Sequence, residues 1–210
     1  MRMRKKPYRD TVLNDRIDVI VKEPQLVKGC WKELLDSDIL HVEIGSGKGD
    51  YWIKMSELYP SEGFVGIEKN LDVAARAVNK TSVNQLPKSR FIALDSKDIS
   101  SWFDLGEIDV IHLNFSDPWL KSGYKKRRLT HSNFLQMYYD LLNVDGRIIM
   151  KTDNKDLFEF SLLEFATQPF ELVDVSVDFR RKENDDVISE YEQKFMDLGQ
   201  VIYRGIWRKK

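Results

Sequence analysis

The stretch His41-Val42-Glu43-Ile44-Gly45-Ser46-Gly47-Lys48-Gly49-Asp50 decides the fold of this 210-residue chain. The apolar run 39–44 predicts a buried strand, three alternate glycines predict a tight turn, and a helical pattern follows. Strand, glycine turn and helix in this order are typical of a nucleotide-binding α/β domain. Glycines are expected there because a Cβ would block a ligand that lies against the backbone.

The carboxylate of Glu43 indicates which ligand the turn binds. A dinucleotide fingerprint has the spacing G-x-G-x-x-G, whereas this turn reads E-x-G-x-G-x-G. A carboxylate repels a pyrophosphate but attracts an ammonium or a sulfonium, and S-adenosylmethionine carries both cations. The turn resembles the cofactor loop of class I methyltransferases. We therefore expect Glu43, Gly45 and Gly47 to bind this cofactor, with an ordinary βα turn as the alternative.

Composition limits the class of protein. Apolar residues make up 42% of the chain, which favours one folded domain over disorder. The 33 basic and 34 acidic residues nearly cancel, so a nucleic-acid partner must be argued from where the charges lie. Cys30 is the only cysteine, and no apolar run approaches the roughly 20 residues of a membrane span. We expect a cytoplasmic protein that does not bind membranes.

Two further predicted strands also end in acidic residues. The run 64–68 ends at Glu68, which could accept both hydroxyls of an adenosine ribose. The run 91–95 ends at Asp95, and Asp95 and Ser96 are candidate contacts on the adenine side. Ligands of open α/β sheets bind at the carboxyl ends of the strands, so these groups should lie along one edge.

A fourth predicted strand, 108–115, runs into Ser116-Asp117-Pro118-Trp119, where Pro118 stiffens the turn. Trp119 is equally compatible with stacking on a base and with packing in the core. Five of the next eight residues, 121–128, are cationic. A cationic run is usually a solvated face, but its place beside the expected reaction edge favours a polyanionic substrate. No metal site is predicted, because the three histidines lack metal-ligand spacing, and His112 is interpreted as a packed core residue.

Strands and helices alternate along the chain, which predicts one doubly wound sheet. We expect a basic arm and an edge helix over residues 1–38 and one domain over 39–210. The predicted strands are 39–44, 64–68, 91–95, 108–115, 147–152, 171–178 and 201–207; helices are expected over 27–35, 51–59, 71–86 and 190–195, with two more beginning near Thr130 or Ser132 and at Asp153-Asn154.

Several motifs resemble those of the bacterial tRNA (guanine-N7-)-methyltransferase family. Besides the glycine turn they are N-F-S-D-P-W at 114–119, K-R-R-L-T at 126–130, K-T-D-N at 151–154 and S-E-Y-E at 189–192. The resemblance covers nearly the whole chain. It implies a Rossmann-like α/β fold with a seven-stranded, mostly parallel sheet, the last strand antiparallel, and helices on both faces. It also implies methyl transfer from S-adenosylmethionine to N7 of a guanosine in the tRNA variable loop, leaving S-adenosylhomocysteine.

The resemblance assigns roles to individual residues. Asp117 falls on the catalytic position and, with Glu43, Glu68 and Asp95, on the cofactor-binding positions. Substrate contacts are implied for Lys121, Asp153, Ser189, Glu190, Tyr191 and Glu192, and RNA contacts for Gly123, Tyr124, Lys125, Lys126, Arg127 and Arg128.

Three other functions remain possible from the sequence. They are a methyltransferase with a protein or small-molecule acceptor, a non-catalytic RNA-binding protein on this fold, and a nucleotide-dependent oxidoreductase. The basic loop argues against the first, the retained acidic residues against the second, and the glycine spacing against the third. The sequence leaves monomer and homodimer open.

Overall fold

A computed structural model describes residues 7–182 and 186–210 of the chain. Most of the basic arm, residues 1–6, lies outside the described residues. Seven strands form one sheet: β1 (Leu40–Ile44), β2 (Gly63–Ile67), β3 (Ser89–Ile92), β4 (Ile108–Asn114), β5 (Leu142–Thr152), β6 (Phe170–Ser176) and β7 (Tyr203–Lys209). Seven α-helices accompany them: α1 (Pro7–Asp15), α2 (Trp31–Leu34), α3 (Asp50–Leu58), α4 (Leu71–Val78), α5 (Ser132–Leu141), α6 (Lys155–Ala166) and α7 (Glu190–Asp197).

The strand order is β3-β2-β1-β4-β5-β7-β6. Pairing is parallel from β3 to β5, whereas β7 is antiparallel to both of its neighbours. The predicted mostly parallel, seven-stranded sheet with an antiparallel last strand is therefore confirmed. The order reverses at β1 and β4, and a ligand crevice is expected where neighbouring strands diverge in this way.

Helices cover both faces of the sheet, as predicted. Successive side chains of β2 point to opposite faces, so Phe64 packs with α3 and α4 while Val65 packs with the core beneath α2, α5 and α6. The described part of the N-terminal segment joins both layers, since Val12 packs on one face and Trp31 on the other. Within the described residues, every helix is too short or too polar to cross a bilayer.

Several element boundaries differ from the predictions. The helix predicted over 71–86 ends at Val78, and the helix predicted over 27–35 is reduced to α2, because Gly29 adopts φ 79° just before it. The strand β3 ends at Ile92, so Asp95 lies three residues beyond it. The last strand begins at Tyr203 and continues to Lys209. Helix α1 was missed; it packs on α4, a tertiary contact that local sequence does not encode.

Candidate active site

Three glycines give the turn after β1 its shape. Gly45, Gly47 and Gly49 all adopt left-handed φ angles, of 80°, 56° and 78°. A Cβ on Gly49 would lie 2.8 Å from the Cβ of Ala77, so this position also requires the absence of a side chain. The N–H groups of Gly45 and Ser46 both donate to the carbonyl of Ile67, which fixes the turn to the end of β2.

Glu43 is a buried carboxylate with an incomplete set of partners. Its side chain lies beside the turn, and the residue is 5% exposed. Asn114 Nδ2 donates to one oxygen at 3.0 Å, while the other oxygen has no hydrogen-bond partner among the residues that the structure describes. Burial raises the pKa of Glu43 to about 7. A bound cation would supply the missing partner, so the site fits the ammonium group of S-adenosylmethionine.

Glu68 is held in place at the end of β2. One carboxylate oxygen accepts from the N–H of Gly47 at 3.1 Å, and the other accepts from the N–H of Asn70 at 2.7 Å. The side chain is half-buried and lines a crevice of about 210 Å³. Each oxygen keeps a second lone pair, so the geometry fits the predicted acceptance of ribose hydroxyls.

The crevice lies at the carboxyl ends of the central strands, as expected. It is bounded by the last residues of β1, β2 and β4 and by residues just beyond them. Of the predicted cofactor-binding residues, the structure places Gly45, Gly47, Glu68, Ser96 and Asp117 along it. Asp95 is exposed and caps the turn that begins at Ser96, where its carboxylate accepts from Lys97 N–H at 3.2 Å.

The turn that follows β4 is tightly bent. Phe115 and Trp119 adopt φ angles of 50° and 42°, which residues other than glycine rarely do. Asp117 lies between them, exposed at the crevice. Trp119 is half-buried and contacts Tyr124 edge to face, with ring centres 5.9 Å apart, so it lies at the crevice wall and not in the core.

The basic segment forms a 3₁₀ turn, Ser122–Arg127, beside the crevice. Gly123, Tyr124, Lys125, Lys126 and Arg127 are exposed there, as is Lys121 before them. Arg128 differs: it is 5% exposed and bonded to backbone carbonyls. An RNA contact by Arg128, as expected from the resemblance, would require this side chain to leave its partners.

The predicted S-E-Y-E segment lies on the other side of the glycine turn. Ser189 caps α7, and its Oγ accepts from Glu192 N–H at 3.1 Å. Glu190 pairs with Lys48 of the glycine turn. Tyr191 lies against Gly47 and lines the crevice. The first three residues of the segment thus border the predicted cofactor site.

Glu192 is fully buried and belongs to an ion cluster that the sequence did not reveal. Lys151 Nζ lies 2.8 Å from Glu192 and 2.6 Å from Asp186, and Arg180 Nε donates to Glu192 at 2.6 Å. A direct contact between Glu192 and substrate would break these bonds. The signal that could have found the cluster is a lysine at the end of the apolar run of β5, where a free cation is costly to bury.

The remaining predicted substrate residue, Asp153, is half-buried just beyond β5. Desolvation raises its pKa above the usual value. His112 is 2% exposed, as predicted for a core histidine, and bonds to His41 and Tyr51. No cluster of three or more potential metal ligands occurs in residues 7–182 and 186–210.

This chain is similar in sequence and in fold to known methyltransferases. A family described as "Putative methyltransferase" matches residues 37–205. The tRNA (guanine-N(7)-)-methyltransferase of Oceanobacillus iheyensis is 38% identical over 97% of this chain and 97% of its own length. That of Streptococcus equi subsp. zooepidemicus is 40% identical over 97% of this chain and 98% of its own length. The crystal structure of the 16S rRNA methyltransferase KamB superposes with a TM-score of 0.65 at 10% identity, covering 86% of this chain and 92% of that one.

Proposed function

This chain belongs to the tRNA (guanine-N(7)-)-methyltransferase family, and from that premise we propose that it methylates N7 of a guanosine in tRNA. S-adenosylmethionine supplies the methyl group as a sulfonium-bound carbon. The acceptor guanosine lies in the variable loop, and the enzyme acts in the cytoplasm, where tRNA is found.

The cofactor site of the proposal is built on Glu43 and Glu68. Glu43 would bind the ammonium group through its unpartnered oxygen, and Glu68 would accept the ribose hydroxyls. Gly45 and Gly47 leave room for the ligand against the backbone, and Ser96 lies where the adenine end would reach. The observation that carries this assignment is the buried, incompletely bonded carboxylate of Glu43.

Asp117 is the proposed catalytic residue. Guanine N7 has a free lone pair, so no proton must leave before it attacks and no strong base is required. The purine becomes positively charged as the methyl group is transferred. Asp117, exposed at the crevice, would stabilise that charge more in the transition state than in the ground state.

Selection of guanine is assigned to acidic groups beyond the crevice. Guanine presents two adjacent groups of N–H donors, at N1 and at N2. Adenine has no donor at either position. Glu190 and Asp153 could accept these hydrogen bonds, and Ser189 and Tyr191 would complete the wall around the base. A site that is built to accept a donor pair discriminates strongly against a base that lacks it.

Binding of tRNA is assigned to the exposed basic turn. Lys121, Lys125, Lys126 and Arg127 lie beside the crevice and would contact phosphates, whereas Tyr124 and Trp119 offer aromatic surface to an unstacked base. Stacking of this kind is worth about 1–3 kcal/mol per base. It would offset part of the cost of moving the guanine out of its stack, about a few kcal/mol.

The test of the proposal uses unmodified tRNA, methyl-labelled S-adenosylmethionine and the full chain, followed by nucleoside analysis. We expect 7-methylguanosine from the variable loop, and almost none from the variant D117A with its circular dichroism unchanged. A tRNA transcript without a variable-loop guanosine is the matched control substrate. Label in protein extract but not in tRNA would indicate a different acceptor, and cofactor-independent tRNA binding without product would indicate a non-catalytic RNA-binding protein.

A further inference from the structure

Two adjacent arginines at the end of the basic turn point in different directions. Arg127 is exposed as a residue, and its guanidinium lies 5.0 Å from the ring centre of Trp119 and 4.5 Å from that of Tyr124. Arg128 is buried instead. Its Nε donates to the carbonyl of Pro118 at 2.8 Å, and its Nη2 donates to the carbonyl of Trp119 at 3.4 Å. The basic motif therefore combines one exposed cation with one buried cation.

Arg128 also contacts helix α6. Its guanidinium lies 4.3 Å from the ring centre of Phe160 on that helix. The residues that follow are attached to the same helix, because Thr130 Oγ1 is 2.7 Å from Ser161 Oγ and Ser132 N–H donates to Glu164 at 2.7 Å. The side chain of Arg128 thus joins the turn that carries Asp117 to a rigid element of the fold.

The turn requires such support. Asp117 lies between Phe115 and Trp119, both in the left-handed region of φ, and such conformations persist only where surrounding contacts impose them. The two carbonyls that Arg128 binds belong to the two residues directly after Asp117. A planar guanidinium can bind both at once, which a lysine ammonium on a flexible chain does less well.

We propose that Arg128 is a positioning residue for methyl transfer: it fixes the Asp117-Pro118-Trp119 turn to α6 and makes no contact with RNA. The inference rests on the proposed function only in its use of Asp117 as the catalytic group. Because the energetic effect of orientation is steep, a displacement of about 1 Å at such a residue can slow a reaction about 100-fold.

The first test compares R128K with R127Q in steady-state methylation of tRNA. We expect R128K to lower kcat by about 10- to 100-fold, with the KM for tRNA changed by less than about twofold. We expect R127Q to raise the KM and to reduce the slope of log KM against log salt by about one, as for one lost phosphate contact. A raised KM and a reduced salt slope in R128K, with kcat intact, would overturn the proposal.

A structural control separates positioning from loss of stability. T130V removes the bond to Ser161 and should lower the melting temperature while leaving kcat at 25 °C unchanged. At a similar loss of stability, we expect the kcat of R128K to fall much further than that of T130V. A loss of kcat in proportion to the unfolded fraction alone would overturn the proposal.

A second measurement does not depend on catalysis. The emission of Trp119 is obtained by subtracting the spectrum of W119F from that of the wild type, and likewise R128K/W119F from R128K. We expect the Trp119 emission of R128K to shift to the red and to be quenched more by acrylamide; unchanged emission would overturn the proposal. If tRNA gives no 7-methylguanosine while this emission shifts, the proposed function fails and the attachment of the turn by Arg128 stands.

Discussion

Glu43 and Glu192 are both buried acidic residues within the same half of the molecule, but their surroundings differ. Both oxygens of Glu192 are paired, with Lys151 on one side and Arg180 on the other. Glu43 has a neutral partner, Asn114, and one oxygen without a partner among the described residues. The first is a completed structural joint. The second lacks a cationic partner, and for this reason we propose that it binds the ammonium group of the cofactor.

Burial alone therefore does not distinguish a structural acidic residue from one that binds a ligand, whereas the set of hydrogen-bond partners does. Burying a charge without a partner is unfavourable, so a fold retains it only where another interaction offsets the desolvation. For Glu192 the offsetting interactions lie within the protein and hold α7 against the sheet. For Glu43 we assign the offsetting interaction to the cofactor. The following predictions test this difference, from the largest expected effect to the smallest.

The largest change in stability is expected when the ion pair between Lys151 and Glu192 is broken. K151M leaves Glu192 buried with one cation fewer, and we expect a loss of about 3–5 kcal/mol in the free energy of unfolding, measured in urea. K155M is the matched control, because Lys155 pairs with Glu159 on the exposed face of α6, worth about 0.3–0.5 kcal/mol. The double variant K151M/E192M should be more stable than K151M. With E192M to complete the double-mutant cycle, losses that simply add would show that the two residues are not coupled.

Replacing Glu43 is expected to stabilise the free protein at high pH, whereas replacing Lys151 destabilises it. The raised pKa of Glu43 means that its contribution to the stability of the free protein is complete below pH 4.5 and is lost as the pH rises through about 7. At pH 8, E43Q should therefore be more stable than the wild type, by up to about 3 kcal/mol. The same variant should bind S-adenosylhomocysteine at least about tenfold more weakly, by calorimetry. Destabilisation by E43Q at pH 8 would make Glu43 a structural residue like Glu192.

A smaller effect is expected at Glu68, which is neither fully buried nor unpartnered. E68Q keeps an acceptor for the N–H of Gly47 but weakens acceptance from the ribose hydroxyls. Hydrogen bonds to a charged group are worth about 1.5–3 kcal/mol, and part of that is retained, so we expect about fivefold weaker S-adenosylhomocysteine binding. Equal affinities of E68Q and the wild type would remove the ribose assignment.

The sequence predicted those parts of the site that local pattern determines. The glycine turn, Glu43 and Glu68 follow from a strand ending in glycines and from the length of one βαβ unit. The structure places Gly45, Gly47 and Glu68 along the crevice, while Glu43 lines a smaller cavity that also borders Gly45. The seven-stranded, mostly parallel sheet and its antiparallel last strand came from the family resemblance, whereas the strand order was not predicted. The site residues were thus predicted from short-range spacing, and the sheet from whole motifs.

The rest depended on contacts between distant elements. Arg128 was expected to contact RNA and Lys151 was given no role beyond its strand. Both are buried, because Arg128 contacts Phe160 of α6 and Lys151 pairs with Glu192 of α7. Asp95 caps its own turn, since β3 ends three residues earlier than predicted, and its contact with the cofactor stays a prediction. Tertiary packing, which no local window contains, decided the positions of Lys151 and Arg128.

Calorimetric titration of the wild type and E43Q with S-adenosylhomocysteine, at pH 7 in buffers of different ionisation enthalpy, tests the account most directly. This ligand keeps the ammonium group and lacks the sulfonium charge. With a pKa of about 7, Glu43 is about half protonated in the free protein and ionised when paired with the ammonium. We predict release of about half a proton per ligand from the wild type, none from E43Q, and tighter wild-type binding as the pH rises from 6 to 8. Identical proton release by the two proteins, or wild-type binding that weakens over this range, would contradict the assignment of Glu43 to the cofactor.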